Sequence, residues 1–153
     1  MKRIEVKLSL PVVAPLLDVI RELAGGLREN LAAPLALTDL DDEFRAAWAG
    51  ELLGAQAGDV QALLSLFGDE FFTEGVVAFD EDNAEIILRA CAAVRLRLRE
   101  HYLKPMGDEA LETGDVDMMA LDEPLRKAFM CYLFLATLQE LIIQHLDTSI
   151  LES

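Results

Sequence analysis

LRKAFMCYLFLATLQELIIQHL, running from Leu125 to Leu146, is the stretch whose reading decides the fold. From Ala128 to Leu138 only Thr137 interrupts the apolar residues. About three helical turns without a polar side predict a helix that neighbours surround, so the spacing points to a central helix. A bilayer span needs about 20 predominantly apolar residues, and here Arg126 and Lys127 precede the run while Gln139 and Glu140 end it. The segment therefore reads as the core of a mainly α protein, a single-domain helical bundle over 1–153 built around this C-terminal helix.

Working back from it, residues 105–121 read as an acidic surface linker holding at most one helical turn. Before the linker, a helix is predicted from Asp80, as its cap, to Lys104. Its acidic residues lie first and Arg95, Arg97 and Arg99 later, which complements the helix dipole. Further back, Asp59 is expected to cap a helix containing Val60, Leu63, Leu64 and Phe67, preceded by an AQAG turn and a short helix with Phe44, Trp48 and Leu52. Pro34 to Asp42 reads as a loop, and 147–153 as a frayed tail.

At the amino end, RIEVKL over 3–8 alternates Ile4, Val6 and Leu8 with charged residues, the period of a half-buried strand. Ser9 then caps a helix whose stripe is Leu16, Leu17, Ile20, Leu23, Ala24, Leu27 and Leu31. Pro15 should delay or kink its start, and Gly25 with Gly26 should weaken its middle or allow close packing. A second short strand is expected at 76–79. Shifted by 71 positions, Val6, Leu8 and Ser9 fall on Val77, Phe79 and Asp80, and Leu17 on Leu88, so a strand, cap and helix unit either repeats or is matched by chance. If it repeats, the two strands could pair under covering helices.

The chain has 28 acidic and 13 basic residues, a net charge of -15, which repels nucleic acid and anionic lipid. No continuous apolar segment follows Lys2 and Arg3, so a cytoplasmic address is expected. Apolar residues make up 53% of the chain, a surplus that favours a homo-oligomer, first of all a dimer. Cys91 and Cys131 lie within helical apolar patterns and read as free core thiols.

Chemistry-bearing patterns are sparse. No zinc, di-iron, calcium or phosphate-loop spacing occurs, and no nucleophile elbow, so neither a metal nor a cofactor nor an enzyme is expected. His101 and His145 lie near helix ends, where capping or packing accounts for them. Arg95 stands apart, because it falls in the middle of the face formed by Ala84, Ile87, Leu88, Cys91, Leu98 and Tyr102. A guanidinium there needs an acceptor, and Glu140 is the candidate. Three readings stay open: Arg95 reaches water past its neighbours, it forms a buried ion pair with Glu140, or the two line a ligand pocket.

FDEDNAEIILRACAAVRLRL resembles a segment of the bacterial domain-of-unknown-function 2017 family, in which a strand and acidic cap lead into a helix with a leucine, asparagine, aspartate, leucine, arginine core. Asp80 matches the cap and Arg95 the arginine, while Ala92 and Ala93 stand at the asparagine and aspartate positions. Leu138, Gln139 and Glu140 match the family's tryptophan, leucine, glutamine, glutamate segment, with Thr137 at the tryptophan, and Phe44 with Arg45 match its phenylalanine-arginine pair. The resemblance implies a mainly helical protein without assigned activity, whose actinobacterial relatives are often encoded beside an adaptor of the Clp protease, a hint of protein quality control. Taken together, the leading expectation is a protein that works by contact with an unknown protein partner and with itself. The alternative is a small-molecule binding or sensing domain with a pocket near Arg95 and Glu140.

Overall fold

A computed structural model describes residues 3–28, 42–113 and 116–145 of the chain. Helix is the main component. The order is β1 (Arg3–Lys7), α1 (Leu10–Leu27), α2 (Asp42–Ser65), α3 (Asp69–Glu74), β2 (Val76–Asp80), α4 (Ala84–His101), α5 (Asp108–Thr113), a 3-10 turn at Met118–Ala120 and α6 (Glu123–His145). The expected loop from Pro34, apart from its last residue, and the expected tail at 147–153 lie outside the described residues.

The apolar run of the last segment does form one continuous helix. Asp122 starts it, its Oδ1 accepting from the Leu125 amide at 3.0 Å. Ala128, Phe129, Cys131, Tyr132, Leu135, Leu138 and Ile142 are buried as α6 packs against α4 and α1. The other side is not enclosed. Met130 is 37% exposed and Thr137 is exposed, while Leu133, Phe134 and Leu141 are only half-buried. Neighbours on all sides were expected; among the described residues they enclose one side fully, while on the other the Phe134 ring meets Phe67 at 6.1 Å and stays half-buried.

Helix α4 has three helical neighbours, α1, α2 and α6. Its start differs from the expectation at Asp80, which remains the last residue of β2. Asp80 Oδ1 accepts from the amides of Asp82 and Asn83, and Asn83 Oδ1 accepts from the Asp80 amide in return. This Asx turn steers the chain from strand to helix, so Asn83 takes the cap position and helical geometry begins at Ala84. The other end comes at His101, because the Tyr102 and Leu103 amides both bond the Leu98 carbonyl and Leu103 turns back into the core.

The two strands pair antiparallel, Val6 against Val77 and Ile4 against Phe79, with Val77 and Phe79 buried on the inner face. Gly75 makes the junction possible: its φ is 72°, and a Cβ there would lie 2.8 Å from the Leu8 carbonyl oxygen. Pro15 sits inside α1 without ending it. Of the two glycines near the end of α1, Gly26 has the Arg97 guanidinium lying over it, 2.6 Å from where a Cβ would stand, while Gly25 faces open space.

Two expected connections are replaced by structure. The AQAG turn does not occur, because α2 runs unbroken through Gly54 and Gly58. Each glycine costs a helix about 1 kcal/mol. Tertiary contacts offset that cost: Gln56 Nε2 donates to the Leu27 carbonyl at 2.7 Å, Val60 and Leu63 are buried, and Asp59 holds Arg89 through two bonds of 3.1 Å. Asp59 is thus an ion-pair partner within a helix rather than a cap. The 105–121 linker is likewise more than a surface loop. It contains α5 and the 3-10 turn, buries Leu111, and is held by Arg126, which donates to the Met118 and Leu121 carbonyls.

Candidate functional site

Arg95 is the residue on which the sequence reading converged, and the structure gives it a different partner. Its Nη1 donates to Gln139 Oε1 at 2.7 Å, and its guanidinium carbon lies 4.4 Å from the centre of the Tyr132 ring. The Gln139 amide is fixed in turn, because its Nε2 donates to the Leu88 carbonyl at 3.1 Å. Glu140 is exposed on another side of α6 and accepts from Gln144 at 3.2 Å. The expected Arg95 to Glu140 pair is therefore corrected to Arg95 with Gln139. The reason is angular: 100° per residue separates adjacent helical positions, so only one of the two can face α4.

The exchange of partner changes the electrostatics. Glutamine accepts a hydrogen bond and leaves the guanidinium charge in place, where glutamate would have neutralised it. Among the described residues, no carboxylate lies within ion-pair distance of Arg95, and its Nε is shielded from water without an acceptor. The charge extends into the core. Burial pushes the Cys91 thiol up to about 12, against the pull of Arg95. Cys131 is likewise pushed up to about 12 by burial. Both thiols are free and protonated at neutral pH, so neither is an activated nucleophile.

Beside Arg95, a cleft of about 300 Å³ opens between α4 and α6, lined by Ala92, Arg95, Leu96, Arg99 and Tyr132. The pocket expected near Arg95 was an internal one shared with Glu140; the cleft seen here is open to solvent and Glu140 is not in its wall. Tyr132, Arg99 and the anchor Gln139 were not anticipated. A signal for two of them existed, since Tyr132 and Gln139 are seven residues apart and so share a face of α6, as Leu88 and Arg95 do on α4.

A second feature lies on the open side of α6. Met130, Phe134, Thr137 and Leu141 follow one another at helical spacing with Leu133 alongside, and none is buried. At its amino end this strip runs into a groove of about 410 Å³ between the starts of α1 and α6, walled by Val12, Pro15, Leu16 and Met130, with Glu123, Arg126 and Lys127 beside it.

His101 and His145 are the last residues of α4 and α6 and are exposed. Among the described residues no group of three His, Cys, Asp or Glu side chains could hold a metal ion. By length and composition α6 could also cross a membrane, although here it packs against α1 and α4.

In comparisons with known proteins, the model of a family described as a domain of unknown function, DUF2017, matches residues 15–146. No curated protein and no solved structure matches.

Proposed function

Starting from the fact that the chain belongs to the DUF2017 family, which assigns no activity, we propose that it works by protein contact through the open side of α6, first of all with a second copy of itself. The observation that carries this is the strip of exposed Met130 and half-buried Leu133, Phe134 and Leu141, which the core covers only in part. Apolar strips of this kind gain stability when another surface removes them from water, at roughly 25 cal/mol per Å². The strip is also free of acidic residues, which matters in a chain of net charge -15. A second copy fits it by symmetry. Two α6 helices packed antiparallel about a two-fold axis near Phe134 set Lys127 of one copy opposite Glu140 of the other, and Met130 opposite Thr137. The proposal places the protein in the cytoplasm as a contact protein rather than an enzyme. Protein quality control is carried within it on the family resemblance alone.

Light scattering across a dilution series tests this reading. We expect a dimer that dissociates on dilution, and a monomer at all concentrations in the double variant Met130→Arg, Thr137→Arg, which sets like charges across the axis. Both positions are exposed, so the variant should keep the monomer's circular dichroism. A parent protein that is monomeric at every concentration would refute self-association, as would a variant that dimerises unchanged.

A further inference from the structure

The cleft between α4 and α6 supports an inference independent of the open strip. We propose that it binds a small oxyanion, a carboxylate or phosphate group, at the guanidinium of Arg95. Three features of the cleft carry this. First, the chain holds more than two carboxylates for each basic residue, 28 against 13, yet the half-buried Arg95 is bonded to a neutral amide. A cation partly withdrawn from water without a counter-charge is destabilised in proportion, and an arriving anion relieves that cost. Second, the guanidinium is positioned before any ligand arrives. Gln139 holds Nη1 while being held itself by the Leu88 carbonyl, and the Tyr132 ring supports the guanidinium from one face. With Nε turned away from water, Nη2 and the remaining hydrogen of Nη1 are left to meet a carboxylate or phosphate, with little ordering left to do. Third, the cleft has room: its volume of about 300 Å³ lies at the lower end of the range for small-molecule sites, and Arg95 and Tyr132 are part of its wall.

The identity of residue 139 gives the sharpest test. Gln139→Glu keeps an acceptor for Arg95 Nη1 and supplies the missing negative charge from within, while giving up the bond to the Leu88 carbonyl, so it should close the site. Thermal unfolding would be followed in sodium phosphate, sodium succinate and sodium chloride at equal ionic strength, with isothermal titration of phosphate and succinate in parallel. We expect saturable binding of at least one oxyanion, and a rise in Tm of roughly 5–10 °C at a hundredfold excess over Kd. The response should be absent in chloride and lost in both Gln139→Glu and Arg95→Met. Phosphate acting alone would assign a phosphoryl ligand, and succinate acting alone a carboxylate. The proposal is overturned if the rise follows ionic strength only, or if binding survives Gln139→Glu. Should Arg95→Met fail to fold, Gln139→Glu and the titrations still decide it.

Discussion

Gln139→Leu, compared with Glu140→Ala, tests the central packing assignment. Leucine fills about the same volume as glutamine but removes both amide hydrogen bonds. The bond from Arg95 Nη1 at 2.7 Å is charge-assisted, and such bonds contribute about 1.5–3 kcal/mol. The bond to the Leu88 carbonyl at 3.1 Å adds about 1 kcal/mol. Partial burial of the leucine returns about 1 kcal/mol, which leaves a net destabilisation of about 2 kcal/mol. Glu140 is exposed and bonded only within its own helix to Gln144, so its loss should cost no more than about 0.5 kcal/mol. Urea unfolding of both variants, extended to a double-mutant cycle of Gln139→Leu with Arg95→Met, should give a coupling of about 1.5–2 kcal/mol. The reasoning fails if Glu140→Ala is the more destabilising change, or if Gln139→Leu unfolds within 0.5 kcal/mol, in round terms about the error of such measurements, of the parent protein.

Three further outcomes follow from particular contacts. Gly75→Ala forces a Cβ into a left-handed conformation and to within 2.8 Å of the Leu8 carbonyl, so unfolding free energy should drop by about 1–2 kcal/mol or more, with the loss read in denaturant melts. Asp59→Asn weakens the paired bonds to Arg89, whose guanidinium is half exposed, and should cost about 1 kcal/mol, less at high salt. Cys91 and Cys131 are raised from an ordinary 9.0 to about 12 in the fold, which fixes the sign of an alkaline effect. A raised folded value favours the protonated thiol, so this stability is fully present below pH 9 and falls as pH rises towards 12, by about 1.4 kcal/mol per pH unit for each thiol. Urea melts between pH 8 and 10.5 should show a steeper decline in the parent than in Cys91→Ala combined with Cys131→Ala, and equal slopes would refute the assignment.

Much of this architecture can be read along the chain, because hydrophobic periodicity and capping are local. Ile4 and Val6 alternate as a strand must, Asp122 caps the last helix, Leu16 to Leu27 define a helix by spacing, and Ala128 to Leu138 mark one by an unbroken apolar run. Self-association and the oxyanion cleft stay proposals, for a sequence states how much apolar surface exists and not what meets it. What the sequence determined by itself is thus a mainly helical chain with two short strands, and an arginine on an otherwise apolar helix face. Only the tertiary structure decided which glycines stay helical, which side of α6 remains open, and that Arg95 faces Gln139 rather than Glu140. The first depends on long-range contacts that offset the cost of glycine in α2, and the other two on the rotation of one helix against another, since a rotation of 100° moves the contact to the next residue.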